Sequence, residues 1–192
     1  MKKRRLLLAV AREDLLNLFS RVDQELSAKG QKLIVTVMGG ASIILQGFRD
    51  RVTQDIDIAY GKGAEIFRQL CERQGIPVDI ISIASTVDFN QQHTLTVFQG
   101  KALTVQSVTP EDLIKLKLER FRKQDPEDIY AILERTRMSY EKFASLAKEM
   151  LLDFIGNPRE LILSARLVIE RMYPDKIREF DPAGNHSYRA ST

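Results

Sequence analysis

The chain has 192 residues, of which 44% are hydrophobic and 29% charged, and its formal net charge is +3. This length allows one globular domain with a helical extension, and the composition excludes wholesale disorder. A net charge this small neither implies nor excludes a nucleic-acid partner.

The cysteine count and the first residues bear on the compartment. Cys71 is the single cysteine, which excludes an intrachain disulfide and, with only two histidines, a zinc site of familiar spacing. A basic arm at Met1–Arg5 and an apolar run at Leu6–Ala11 resemble a signal peptide, but the charged residues that follow interrupt the run and no cleavage site succeeds it. No apolar run is long enough to span a membrane. We therefore expect a cytoplasmic protein with no membrane contact and a reducing environment for the thiol.

Helices and strands alternate over the first part of the chain. Apolar residues at helical spacing predict a helix from Asp14 to Lys29, and a β-branched run predicts a buried strand from Leu33 to Met38. Two glycines then precede four further elements, a short helix, a strand, a helix and a strand, predicted at Ala41–Leu45, Gln54–Tyr60, Glu65–Arg73 and Val78–Ser82.

A hairpin and a series of helices follow. After an irregular stretch at Ala84–His93, Thr94–Phe98 and Ala102–Gln106 predict two strands. Thr109 has the character of an N-cap for a helix that runs to about Lys123. Three more helices are predicted near 126–136, 139–154 and 158–172. The element order predicts an α/β (α+β) fold with one central sheet, comprising an α/β domain at 1–125, a helical C-terminal region at 126–178 packed on it, and a loose tail at 179–192.

Gly39-Gly40 is the first candidate for chemistry. Two glycines between a strand and a helix let backbone N–H groups approach a phosphate, and Ser42 could add a hydroxyl. On its own the pattern is more often only a tight connection.

Three acids are the second candidate. Asp55 and Asp57 stand at positions i and i+2 of a predicted strand whose other face is apolar, so a hard divalent cation could lie between their carboxylates. Asp79 would join them if its strand is the neighbour of theirs. The alternatives are an acidic solvent-exposed strand face and, for Asp79, an acid at a strand edge.

A third set lies on the helix after Thr109. Lys117 and Arg120, three residues apart, share a helix face and could grip triphosphate oxygens, or could belong to a solvated basic surface. Asp125 and Asp128 lie at the start of the next helix and could simply cap it.

The order and spacing of these motifs are more specific than any one of them. Val37–Gly47 with its diglycine, followed by Arg51–Ile58 with its Asp-x-Asp, closely resembles the signature of the DNA polymerase β-like nucleotidyltransferases. Leu113–Asp128 resembles later motifs of the branch that contains the abortive-infection type II toxins, although Lys123-Gln-Asp125-Pro departs from the Arg-Asp that is frequent there.

The resemblance implies a nucleotidyltransferase-type mixed sheet flanked by helices, and a role for each matched residue. Nucleotide phosphates would be held by Gly39, Gly40 and Ser42, and the triphosphate would be contacted by Lys117, with Arg120 and Asp128 completing the nucleotide site. Mg²⁺, or Mn²⁺, would be bound by Asp55 and Asp57, with Asp79 a third ligand or a base.

Three functions remain open at this stage. The first is a metal-dependent transfer of an NMP group from an NTP to a hydroxyl of RNA, protein or a small molecule, in a toxin paired with an antitoxin protein or in another setting. The second is a non-catalytic nucleotide- or partner-binding module on the same fold, and the third is a metal-dependent nuclease.

Overall fold

A five-stranded sheet forms the centre of the computed structural model, which describes residues 9–81, 93–152 and 154–182. Its strands are β1 (Leu33–Val37), β2 (Ile56–Ala59), β3 (Val78–Ile81), β4 (Thr94–Gln99) and β5 (Leu103–Val108). The spatial order is β3-β2-β1-β5-β4, with β1 parallel to β5, β2 parallel to β3, and antiparallel pairing in β1–β2 and β4–β5. The sheet is therefore mixed, and the α/β prediction is confirmed.

The described residues contain seven α-helices. They are α1 (Arg12–Ala28), α2 (Gly39–Leu45), α3 (Ala64–Arg73), α4 (Pro110–Arg120), α5 (Asp125–Thr136), α6 (Tyr140–Leu152) and α7 (Pro158–Met172). Each lies close to its predicted position. The helix after Thr109 ends at Arg120 and not near Lys123, because Phe121 and Lys123 adopt positive φ angles of 38° and 37°. Ser82, most of the irregular stretch at 84–93 and the tail beyond 182 lie outside the described residues.

The sheet has one face that builds the core. Along β1 the side chains of Leu33, Val35 and Val37 are buried, whereas Ile34 is 61% exposed. α1 and α3 pack against this face and contribute to the core, in which the ring centroids of Phe19 and Phe67 lie 6.1 Å apart. Cys71 is buried in the same cluster, and burial raises the pKa of its thiol to about 12.

The opposite face of the sheet, here called the open face, carries the other residues of each strand. Val37 pairs with Ile58, and both are buried in the core. Because side chains alternate along a strand, Thr36 of β1 and Asp57 of β2 belong to the open face. Asp79 pairs directly with Asp57 and shares that face.

The chain divides into two compact units, residues 1–113 and 114–192. The first holds the sheet with α1 to α3, and the second holds most of α4 with α5 to α7. The boundary expected at 125/126 lies later in the chain than this division. Most of α4 belongs to the second unit, because its Lys117 makes ion pairs with Asp125 and Asp128 of α5. Within the second unit Tyr173 donates a hydrogen bond to the carbonyl of Met138 at 2.8 Å.

Asp23 ties α1 to the turn between β4 and β5. Its Oδ1 accepts hydrogen bonds from the backbone N–H of Ala102 at 2.7 Å and of Leu103 at 2.8 Å. Gly100 fits beside this carboxylate because it has no Cβ to overlap it. The bond from Ala102 and then that from Leu103 hold the pKa of Asp23 below its ordinary value, against the effect of burial.

We predict that Asp23→Asn lowers the free energy of unfolding by about 1–2 kcal/mol at neutral pH, since bonds to a charged acceptor are the stronger ones. A lowered carboxyl pKa contributes stability that is present above the unfolded value, near 3.8, and is lost as the pH falls through the folded value. Urea unfolding of both proteins should show the difference shrinking below about pH 4. A difference that stays constant with pH would contradict the assignment.

Candidate active site

Gly39 packs directly against the Asp57 carboxylate. A Cβ built on Gly39 would overlap Oδ2 of Asp57 and lie 3.2 Å from its Cγ. Gly39 also has a φ of +55°, a conformation that L residues with side chains rarely adopt. The backbone N–H of Met38 donates to the carbonyl of Asp57 at 2.8 Å, which fixes the separation of the two segments. The diglycine and the second acid of the Asp-x-Asp motif therefore border one space.

Gly40 faces the loop that leads into β2. A Cβ on Gly40 would lie 2.8 Å from Oγ1 of Thr53 and 3.4 Å from Nη2 of Arg51. Thr53 is held by two backbone hydrogen bonds with Val10, at 2.8 and 3.0 Å, and its hydroxyl donates to the carbonyl of Asp55 at 3.1 Å. This loop thus places a guanidinium beside the glycine pair.

Arg51 is a residue to which the sequence prediction gave no role. The sequence offers one indication of such a role. Arg51 lies within the motif, four residues before Asp55, and a cation beside a phosphate cradle can bind phosphate oxygens. Sequence spacing alone does not show that the loop folds back onto Gly40, because that contact depends on the bridge between Val10 and Thr53.

The two strands that carry acids are neighbours, as the hypothesis for Asp79 required. Asp57 and Asp79 occupy paired positions of parallel strands, so their Cα atoms are about 4.8 Å apart. Asp55 lies one residue before β2, in a bend, and therefore does not continue the strand alternation. Across the described ranges, no three His, Cys, Asp or Glu side chains are grouped so that they could hold a metal ion.

The donor set nevertheless suits Mg²⁺. That ion is usually held by one or two carboxylates, with the remaining ligands supplied by substrate phosphates and water. Two carboxylates at directly paired strand positions repel each other, and a cation between them removes that penalty. The close approach at Gly39 leaves Asp57 bordered by backbone, with no side chain between it and the diglycine. Asp57 and Asp79 would hold the ion, and Asp55 lies two residues before Asp57 along the chain.

Ser42 has a different environment from the one expected of a phosphate ligand. It is fully buried, and its hydroxyl donates to the carbonyl of Val37 at 2.8 Å. It also accepts a hydrogen bond from the hydroxyl of Ser107 at 2.8 Å. Both functions of the hydroxyl are thus used to hold α2 against β1 and β5, and the phosphate contact expected of Ser42 stays a prediction.

Lys117, Arg120 and Asp128 belong to a salt-bridge cluster in the second unit. Lys117 is 2% exposed, and its Nζ lies 3.1 Å from Oδ1 of Asp125 and 2.6 Å from Oδ2 of Asp128. Arg120 makes a two-point contact with Asp125, through Nε at 2.9 Å and Nη2 at 3.0 Å. The backbone N–H of Arg122 donates to the same carboxylate at 2.8 Å.

This cluster changes the interpretation of its members. Burial favours a raised pKa for Asp125, but the bonds from Arg120 and Arg122 and the charges of Lys117 and Arg120 outweigh it and hold the pKa below its ordinary value. The Lys117 ammonium is enclosed by two carboxylates, and Asp128 has no exposed surface. These ion pairs join α4 to α5 through Lys117 and Asp128, and the nucleotide contact expected of both residues stays a prediction. Arg120, half exposed, serves the same junction.

The mixed sheet, the glycine pair and the adjacent acids define a nucleotidyltransferase-like α/β protein. A family described as nucleotidyltransferase of unknown function (DUF6036) matches residues 13–161. The match covers more than half of the chain, so the chain belongs to that family. The toxin branch named by the earlier resemblance stays a prediction.

A solved structure is similar to this chain at low sequence identity. An antigenic nucleotidyltransferase-like protein from Paracoccidioides brasiliensis, a solved structure, is similar at a TM-score of 0.49 and 13% identity, over 90% of this chain and 94% of that chain. Curated proteins yield no match. Among the helices of the described ranges, none has the length and apolar character needed to cross a membrane.

We predict that Gly39→Ala displaces the Asp57 carboxylate and destabilises the protein beyond the cost of a left-handed alanine, about 1–2 kcal/mol. Gly30→Ala is the matched control, because Gly30 has a similar φ of +64° and no atom within 4 Å of a built Cβ. Thermal unfolding of both variants should show the larger loss for Gly39→Ala. Equal losses would mean that the contact with Asp57 is not a tight one.

We also predict that Lys117→Met lowers the free energy of unfolding by about 3–5 kcal/mol, because it leaves two buried carboxylates without their shared cation. Lys115→Met on the same helix removes only a surface pair with Glu149 and should cost about 0–1 kcal/mol. Chemical denaturation measures both. A Lys117 variant as stable as the Lys115 variant would return Lys117 to the list of ligand-binding candidates.

Proposed function

We propose that the protein transfers a nucleotidyl group from a nucleoside triphosphate to an acceptor hydroxyl, with Mg²⁺ or Mn²⁺ as the cation. One observation carries the proposal: the Asp57 carboxylate lies against the φ-positive Gly39 at the end of β1, with Asp79 at the paired position beside it. A carboxylate pair next to a backbone cradle is what a cation-bound triphosphate requires. Membership of a nucleotidyltransferase family supports the same reaction class.

Different groups of the chain would bind the phosphates and the cation. Gly39 and Gly40 leave room for phosphate oxygens to approach the backbone. Arg51, whose guanidinium borders Gly40, is placed to contact the triphosphate and takes the role first expected of Lys117. Asp57 and Asp79 hold the cation, which would neutralise phosphate charge and polarise the reacting phosphate.

The bond changes follow from this arrangement. The acceptor oxygen forms a bond to the α-phosphorus, while the bond from that phosphorus to the oxygen bridging to the β-phosphate breaks and pyrophosphate leaves. The acceptor proton passes to a carboxylate oxygen that the cation leaves open, and Asp79, the more exposed of the paired acids, is the candidate base. Arg51 stabilises the charge that develops on the leaving pyrophosphate.

A non-catalytic binding module is the second candidate. It is favoured by the position of Asp55 outside β2 and by the small number of acids gathered in the described part of the chain. Such a protein would bind a nucleotide through the same cradle and would not turn it over.

The toxin role and the cytoplasmic location also belong to the proposal. Expression of the protein in a bacterial host with and without the neighbouring reading frame tests the first: growth arrest relieved by that frame supports a toxin paired with an antitoxin. No arrest in the absence of the frame would remove the toxin role and leave the transferase proposal untouched.

The direct test is incubation with each labelled triphosphate, Mg²⁺ and total cellular RNA or protein. We predict that Asp57→Asn abolishes label transfer and weakens cation-dependent triphosphate binding by more than the roughly 10–100-fold loss that follows removal of an outer-shell partner. Asp50→Asn is the matched control, because Asp50 is an exposed acid of the same unit.

Thermal unfolding in the absence of nucleotide checks that both variants are folded. Triphosphate binding that needs Mg²⁺ and Asp57, with no transfer to any fraction, would favour the binding module. No binding of any triphosphate with either cation would end both proposals.

A further inference from the structure

A cleft of about 490 Å³ lies next to β1 and the end of β2, and its lining includes Ile34, Thr36, Ala59 and Gln106 of the open face. This volume is within the range of about 300–1,000 Å³ that is usual for ligand sites. β1 and the end of β2 form its floor and wall, through residues such as Thr36 and Ala59. Ala59 is two residues from Asp57 along β2 and on the same face, so about 7 Å of strand separates the cleft from the carboxylate.

The cleft is positively charged. Thirteen of the described residues line it, and the charged ones among them are Lys32 and Lys62. The acid nearest in sequence, Glu65 on α3, is engaged in a pair with Arg68 at 2.6 Å. Among the described lining residues a ligand therefore meets two cations and no carboxylate, which favours an anionic acceptor and disfavours a polycationic one.

The cleft also exposes flat and apolar surface. Tyr60 is 69% exposed and Ile34 is 61% exposed, and both line the cleft. Gln106, on the same lining, offers both a hydrogen-bond donor and an acceptor. An aromatic ring near lysines is the combination that binds a base and its neighbouring phosphates in single strands.

We propose that this cleft is the acceptor subsite and that the acceptor is the end of a single-stranded nucleic acid. The inference rests on the proposed function, because it uses Asp57 and Asp79 as the reacting end of the site. A terminal hydroxyl would lie at the acids, a base would stack on Tyr60, and backbone phosphates would reach Lys62 and Lys32. Asp57 and Lys62 are five residues apart, at most about 16–18 Å of extended chain, so the subsite takes a few nucleotides.

The test measures binding of a short fluorescent single-stranded RNA by anisotropy, over a series of salt concentrations and without nucleoside triphosphate. Removing a lysine that contacts a phosphate lowers the slope of log affinity against log salt by about 0.7. The double variant Lys32→Gln/Lys62→Gln should therefore lose about 1.4 of the slope. Tyr60→Ala should weaken binding by about 5- to 150-fold with the slope unchanged, since stacking releases no counterions.

Lys29→Gln is the control. Lys29 follows α1, on the core side of the sheet, and pairs with surface Glu25, so its loss should change neither affinity nor slope. Thermal unfolding confirms that each variant is folded. A single-stranded DNA of the same sequence forms a second arm, and equal binding of both would assign the preference to phosphate and base and not to the 2′-hydroxyl.

The outcomes separate this inference from the proposed function. Binding of triphosphate and Mg²⁺ with no binding of either oligonucleotide would overturn the acceptor class and leave the transferase intact. An unchanged slope in the double lysine variant would overturn the cleft as the site. Oligonucleotide binding with the predicted slopes, in a protein that binds no triphosphate, would keep the cleft and refute the transferase.

Discussion

The contact between Gly39 and the Asp57 carboxylate is the constraint on which the site depends. A residue with a side chain at position 39 would both adopt an unfavourable φ and overlap the carboxylate, so two independent requirements select glycine there. The hydrogen bond from the Met38 N–H to the Asp57 carbonyl holds the two segments at that distance. An acid and a backbone cradle on separate elements are thereby joined into one rigid feature.

The two groups of charged residues in this chain have opposite electrostatics. Asp57 and Asp79 bring like charges to paired positions on a partly solvated face, an arrangement that gains from an added cation. Lys117, Asp125 and Asp128 bring opposite charges together out of solvent, and each is already stabilised by the others. A ligand entering the second group would have to break buried ion pairs, which is costly, whereas a cation entering the first group relieves repulsion. This difference separates the candidate site from a structural cluster.

Much of the fold and part of the site could be predicted from the sequence. Periodicity gave the helices and strands because the apolar residues of β1, β2 and α1 each mark a single buried face, and Asp79 was placed correctly once β2 and β3 were neighbours. The burial of Ser42 and Lys117 could not be predicted, since a hydroxyl or an ammonium looks the same in sequence whether it is enclosed or open. Their environments depend on long-range partners: Ser107 is 65 residues from Ser42, and Asp128 is 11 from Lys117. Arg51 was overlooked for the same reason, because its approach to Gly40 depends on a bridge to Val10.

The hydrophobic core also determines where the chemistry can lie. Ile56 and Ile58 are fully buried, and Asp57 stands between them, so a slip of one residue in β2 would expose both isoleucines and bury a carboxylate. Each isoleucine contributes about 1.5–3 kcal/mol by its burial, and an uncompensated buried carboxylate costs more than either. The register that fixes Asp57 beside Gly39 and Asp79 is therefore enforced by apolar residues that never contact a ligand. The same alternation leaves Ile34 and Ala59 on the open face, so that the acids and the cleft share one side of the sheet.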